Sequence, residues 1–477
     1  MIALLAALAV SAQPVAARTA AERQHQVETQ LLPAVVATGA NTPALTLSGE
    51  MQALHVPGVA IAVIHNGKVE WIKGYGVARL GGAPVTADTL FQAGSVSKPV
   101  AAVAALKLVE TGRLALDAPV NSQLKSWKLP DNDFTRKTPV TLRRLLSHTA
   151  GTTVHGFAGY AAGDAVPSLT QVLDGARPAN SESIRVDQPV GETYRYSGGG
   201  YTIVQQTMID VTGKTFPAIL RDTVFAPLRM SRSTYDQPLP AARLGEVALP
   251  YDEAGQPIAG GPHTYPEMAA AGLWTTAPDL ARFVVEVQNA ANGKGRVLSG
   301  DMARTMLTPG QGHWGLGFEV EGEGAARSFY HDGSNAGYKA TMVGHPASGD
   351  GAVVLTNGDQ GYQLGLEIVR AIAVAYGWPD FHPVMRQAVA LDLAAQRRFV
   401  GIFDIKDLGT FEVREADGHL VAEIRKGQVY PLIPASDHGF FMTAQDIVIT
   451  FDAAADPDHG AIDAGTFHAT FQRVSQR

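Results

Sequence analysis

Cysteine is absent from the 477 residues. That excludes disulfides, thiolate metal sites, a thiol nucleophile and a lipidated cysteine behind an export signal. Any nucleophile is therefore an oxygen or an amine. Positive charge is also short: 38 Lys and Arg stand against 45 Asp and Glu, a formal net charge of -7. A nucleic-acid binder normally carries a basic face, so none is expected as a partner. No stretch approaches the ~20 apolar residues of a membrane-spanning helix. The fourteen histidines are scattered without metal-ligand spacing. His-Glu-x-x-His and Gly-x-Ser-x-Gly do not occur, and Met208 stands where a phosphate-binding loop ending in "VTGKT" needs its first glycine. No metal and no cofactor are expected.

What the chain does contain begins with "MIALLAALAVSAQPVAARTA", an apolar core from Ile2 to Val10 followed by the small residues Ser11, Ala12, Ala16 and Ala17. It predicts a signal peptide over residues 1–17 and export to the periplasm; a frayed apolar terminus is the alternative. "VAIAVIHNGKVEWIKGYG" alternates around Asn66-Gly67, the signature of a hairpin with a type I′ turn. Helical spacing and glycine stops follow in "TLRRLLSHTAG" and "TIVQQTMIDVTG", separated by a loop-rich region. From Arg327 strands return in "RSFYHDG", "YKATMVGHP" and "GAVVLTNGD", closed by a helix in "LGLEIVRAIAVAYGW". These elements predict an α+β fold: an antiparallel sheet assembled from both ends of the domain, flanked by helices and carrying a helical insert. Beyond "GWPDFHP", a proline-stiffened linker, short strands recur with a turn at Asp417-Gly418, predicting a small all-β barrel-like domain. The expected boundaries are 45–378 for the first domain, 379–390 for the linker and 391–477 for the second.

Three places carry candidate chemistry. In "QAGSVSKPVAAVAALKLVE" a helix with almost no polar face begins with Ser95 and Lys98 on one side. At such a buried helix start Ser95 could attack a carbonyl, while Lys98, its amine depressed by burial, takes the serine's proton. A second Ser-x-x-Lys string, Ser122 to Lys125, lies in a polar, turn-rich stretch and reads as surface. "GETYRYSGGGY" places Tyr196 before three glycines; a lysine ammonium beside it would lower its phenol and make it a base, although an ordinary glycine turn with packed tyrosines is the commoner meaning of such a string. In "YHDGSNAGY", His331 ends a predicted strand, and Gly333-Ser334 could present a backbone N–H to a carbonyl oxygen. By itself, His331 would more often be a hydrogen-bonded structural histidine.

Together and in this order, Ser95-Val96-Ser97-Lys98, Tyr196-Ser197-Gly198 and His331-Asp332-Gly333 resemble the three motifs of the serine hydrolases that include class C β-lactamases, D-alanyl-D-alanine carboxypeptidases and family VIII carboxylesterases. "LLSHTAG" and "GLWTTAPDLARF" are similar to recurring segments of the same superfamily. The β-rich carboxyl-terminal region resembles the lipocalin-like domain appended to several members. The resemblance implies a β-lactamase/transpeptidase-like fold and an acyl-enzyme at Ser95, with Lys98 and Tyr196 sharing the base role. It also implies an oxyanion hole from the Ser95 and Ser334 backbone N–H groups, with His331 and Gly333 lining the site. Phe157 and Trp274, with His155, Tyr160 and Tyr265, are candidate cleft residues from their aromatic, glycine-rich surroundings. Two departures stand out: Gly198 replaces the asparagine of the Tyr-x-Asn motif, and His331 replaces the lysine of Lys-Thr-Gly. Both weigh against efficient β-lactam turnover. The expected partner is a small-molecule ester or amide, with esters favoured; the alternatives are a D-amino-acid peptidase or weak β-lactamase, and a silent penicillin-binding-like sensor.

Overall fold

The computed structural model describes residues 18–39, 44–406, 408–425, 428–453, 455–465 and 467–475, so the predicted signal peptide lies outside the described residues. Among them six strands form an antiparallel sheet: β1 (Gly58–His65), β2 (Lys68–Gly76), β3 (Glu319–Glu321), β4 (Ser328–Asn335), β5 (Tyr338–His345) and β6 (Asp350–Thr356), in the order β2-β1-β6-β5-β4-β3. The hairpin between β1 and β2 turns at Asn66 and Gly67, both with positive φ (53° and 72°), as a type I′ turn requires.

β1 is apolar on both faces because the sheet is covered on both. Ala60, Ala62 and Ile64 belong to one core, whereas Val59, Ile61 and Val63 belong to another. This is the period-two split of a central strand. The first core is shared with the helical insert, whose principal helices are α1 (Ser97–Glu110), α2 (Gly198–Thr212) and α3 (Ala277–Ala291). α4 (Gly361–Tyr376) covers the other face together with the amino-terminal helix Ala20–Thr29. α1 passes through the first core, with every side chain from Ser97 to Leu106 buried.

Nine strands of the described carboxyl-terminal residues form a separate antiparallel sheet: β7 (Gly401–Ile405), β8 (Gly409–Ala416), β9 (His419–Arg425), β10 (Gln428–Pro431), β11 (Ile433–Pro434), β12 (Gly439–Phe441), β13 (Val448–Ala453), β14 (Asp456–Ala464) and β15 (Phe467–Ser475). Their order is β10-β9-β8-β7-β15-β14-β13-β12-β11. The two edge strands, β10 and β11, are consecutive in the chain, with only Leu432 between them, so the sheet nearly closes into a barrel. Six phenylalanines, 399, 403, 411, 440, 451 and 471, fill it.

The segment 379–390 differs from a free linker. Trp378 is buried against the His345 ring at 4.7 Å, and Asp380 accepts from His345 Nε2 at 2.8 Å. Val384–Gln387 then pairs in parallel with Val35–Thr38. That amino-terminal segment donates from Val35 N to Thr443 O at 3.0 Å and packs Ala34, Val35 and Ala37 on Phe441. Phe441→Ala should therefore loosen the junction as well as the barrel. Removing a fully buried ring costs about 3 to 5 kcal/mol, so we expect a lower Tm and faster proteolysis within 379–397, measured by thermal melts and limited trypsin digestion.

Candidate active site

Ser95 lies in a single 3-10 turn, Gly94–Val96, that feeds directly into α1. The turn is stitched in place by its neighbours. Ser97 Oγ donates to Gly94 O at 2.6 Å and accepts from Leu273 N at 2.9 Å, while the Tyr235 hydroxyl donates to Ser97 O at 2.6 Å. Gly94 takes φ 51°, in the left-handed region, and a Cβ there would meet Ser334 N at 2.5 Å. Only glycine lets the turn lie this close to β4.

Lys98 follows one turn after Ser95 and is 2% exposed. Its Nζ donates to Ser95 Oγ at 2.8 Å and to Ala270 O at 2.9 Å, and sits 4.9 Å from the Tyr196 ring centre. Among the described residues no carboxylate is paired with it. Burial without a counter-charge pushes the amine down to about 7, a penalty on the ammonium of roughly 5 kcal/mol. A neutral amine at this distance is able to accept the serine proton.

Tyr196 shares a hydrogen bond with Ser95. The expected lowering of its phenol is reversed: burial pushes it up, outweighing the Ser95 bond, and Tyr194 and Asp332 add to the rise. With burial dominating, Tyr196 is a protonated donor at neutral pH. Its backbone is fixed by His148, whose carbonyl accepts from Arg195 N at 2.8 Å and whose Nδ1 accepts from Ser197 N at 3.1 Å. The His148 ring packs against Tyr196 at 4.3 Å, tilted by 30°. His148 was not singled out by sequence reasoning, although it lies within the recurring "LLSHTAG" segment. Ser197 caps α2, accepting from Gly200 N at 3.0 Å. A Cβ on Gly198 would meet Phe157 Cε2 at 3.0 Å and His155 O at 3.1 Å, so an asparagine there requires Phe157 to move.

His331 sits within β4 rather than at its end. Burial, then the nearby Lys98, pushes its imidazole down to about 3, so it is neutral throughout the working range. Two residues on, a Cβ at Gly333 would lie 1.9 Å from Ala93 O and 3.1 Å from Ser95 N. This contact brings β4 against the serine turn.

Ser95, Tyr196, His331, Gly333 and Ser334 line one cleft of about 660 Å³, with Lys98 beneath Ser95. His155, Tyr194 and Trp314 form its aromatic wall, and Gln428 of the barrel reaches its rim. Trp274 does not line it: the ring is 2% exposed and packs against Tyr338 in the core. Phe157 stands behind the cleft against Gly198, and Tyr265 and Tyr160 are buried. The second string is on the surface, where Ser122 Oγ donates to Pro119 O at 2.6 Å. Sequence reasoning missed Trp314, Glu319, Tyr330, Lys339 and Tyr362 in the wall, as well as Gln428. Tyr194, also missed, lies inside "GETYRYSGGGY", and Tyr330 and Asp332 lie inside "YHDGSNAGY", so these three carried a usable signal.

A serine held beside a neutral, buried lysine is the working pair of one class of acyl-transfer enzymes, the lysine-assisted serine hydrolases. Within that class the chain belongs to the beta-lactamase family, whose model matches residues 44–376. It is 29% identical over 327 residues to penicillin-binding protein 4 of Amycolatopsis lactamdurans, covering 64% of this chain and 81% of that protein. The octameric penicillin-binding protein homologue from Pyrococcus abyssi matches 89% of this chain and 98% of its own, with a TM-score of 0.61 at 22% identity. D-amino acid amidase from Ochrobactrum anthropi SV3, solved with L-phenylalanine amide, covers 69% of this chain and 96% of its own with a TM-score of 0.56 at 22% identity. At those identities the two solved structures establish the fold.

Two outcomes follow from the geometry. Lys98 is an ammonium below about pH 7 and a free amine above it, so kcat/KM on a chromogenic ester should rise through that pH and level off above. A profile flat across it contradicts the lysine assignment. Gly333→Ala should push β4 off the serine turn and reduce kcat/KM by about 100-fold or more, the size of effect expected when an oxyanion donor is lost, while circular dichroism shows the fold retained.

Proposed function

We propose that the protein is a carboxylic ester hydrolase that works through an acyl-enzyme at Ser95. The observation that carries this reading is Lys98 Nζ at 2.8 Å from Ser95 Oγ, buried and without a counter-charge. Lys98 takes the Ser95 proton as Oγ attacks the ester carbonyl. The Ser95 and Ser334 backbone N–H groups, adjacent across Gly94 and Gly333, receive the oxyanion. The Tyr196 phenol gives its proton to the departing alkoxide and recovers one from the Lys98 ammonium, so the pair ends neutral with Ser95 acylated. Water then attacks the acyl group as Lys98 takes its proton, and that proton passes to Ser95 Oγ as the acyl bond breaks, releasing the acid and restoring the neutral pair.

Esters are favoured over carboxylate-bearing β-lactams because the wall that would meet the carboxylate carries a neutral His331. Gly198 also brings no side-chain amide. A second reading, amide hydrolysis on amino-acid derivatives, draws support from the likeness to D-amino acid amidase. The apolar stretch from Ile2 to Val10 supports export of the same enzyme to the periplasm.

Ser95→Ala should abolish turnover of short-chain p-nitrophenyl esters while leaving the melting temperature close to wild type. Ser122→Ala, at the exposed second string, should retain near-normal kcat/KM. Wild type should hydrolyse the esters well and a chromogenic cephalosporin poorly or not at all. Equal turnover by folded Ser95→Ala would remove the assignment.

A further inference from the structure

Half of the cleft is not used by the acyl-transfer chemistry. β3 pairs with β4 only at Ser328, Phe329 and Tyr330, so the stretch from His331 to Ser334 presents an edge that β3 does not cover. Alternation along a strand sends successive side chains to opposite faces. Gly333 meets the serine turn, whereas Asp332 and Tyr330 turn to the other side of the edge. There the Asp332 carboxyl bonds the Thr341 and Tyr362 hydroxyls. Glu319, cross-strand neighbour of Tyr330, bonds its phenol. All four of Glu319, Tyr330, Asp332 and Tyr362 line the same cleft as Ser95.

One acceptor of this acidic pair is short of a donor: Asp332 Oδ1 is buried and has no hydrogen-bond partner among the described residues. Among the described residues of that wall the ammonium is Lys339, which is engaged with Asp359 at 2.5 Å. Burial raises both carboxyls, Asp332 to about 6, as expected of acids short of counter-charge.

On the premise that Ser95 hydrolyses esters or amides, we propose that this half of the cleft recognises a cationic group on the substrate. An ammonium or guanidinium would be held by Asp332 and Glu319 between the phenols of Tyr330 and Tyr362. The same acceptors repel a carboxylate, which turns the loss of the motif lysine at His331 into a reversed charge preference rather than a mere weakening.

The test compares p-nitrophenyl 6-aminohexanoate with p-nitrophenyl heptanoate, whose acyl chains have nearly the same length and differ in charge at the tip. In wild type the cationic ester should be favoured in kcat/KM by about tenfold or more, with the preference falling as salt rises. Asp332→Asn and Glu319→Gln should each reduce that ratio several-fold, mainly through KM for the cationic ester. Should Asp332→Asn fail to fold, Glu319→Gln and the salt series on wild type decide the matter. Turnover of both esters with a ratio of one or below overturns the cation subsite and leaves the hydrolase intact. Turnover of neither, with no mass increment at Ser95, overturns the hydrolase and the subsite with it.

Discussion

The desolvation of one amine organises this molecule. Lys98 reaches a neutral state near physiological pH only because α1 runs through the interior and water is kept from its first turn. That requirement explains why α1 has no polar face, why the helical insert wraps it on one side and why the sheet covers it on the other. The Ser95 hydroxyl and the Ala270 carbonyl satisfy the amine without charging it. A carboxylate in either place would hold the proton on Lys98 and deny the amine its capacity to accept one. The glycines at 94 and 333 follow from the same constraint, since they allow the serine turn and β4 to seal the site from below while leaving Ser95 open to the cleft.

Local physics made much of this legible from the amino acids alone. The hairpin turns at Asn66-Gly67 and Asp417-Gly418 adopt the positive φ values their residue types permit, and the apolar run of α1, broken only by Lys107, could only be internal. Ser95, Lys98, Tyr196, His331, Gly333 and Ser334 come together as their motifs suggest. What depended on long-range packing stayed hidden. Trp274 looks like a cleft aromatic by its glycine-rich surroundings, yet its partners across the core, Gln92 and Tyr338, bury it. The strand Asp456–Ala464 has the composition of a loop and becomes a strand because neighbours on both sides hydrogen-bond it. Tyr196 was expected to be acidified by a charged lysine; the burial that neutralises Lys98 also raises the phenol.

The barrel is fastened to the rest by more than its linker. The parallel pair Val35–Thr38 and Val384–Gln387 ties the amino-terminal segment to the start of the barrel, and Phe441 packs against Val35, Ala37 and Ala388. Gln428, 3.4 Å from Glu253 across the gap, places a barrel amide at the rim of the cleft. The rim of the cleft is thus built from two parts of the chain that are held together by a contact far from Ser95.

The central position of β1 sets a clock on the molecule's assembly. Its second neighbour, β6, pairs Ile64 with Gly351, and the roughly 290 residues between them take on the order of 15 to 60 s to synthesise at ~5 to 20 residues per second. Throughout that interval the strand "VAIAVI" has a partner on one edge only, the hairpin strand β2, and its other edge awaits chain that does not yet exist. A nascent intermediate of this kind has high contact order and an open hydrophobic edge. Yield in a heterologous host should consequently depend more on translation rate and chaperone supply than on the stability of the finished fold.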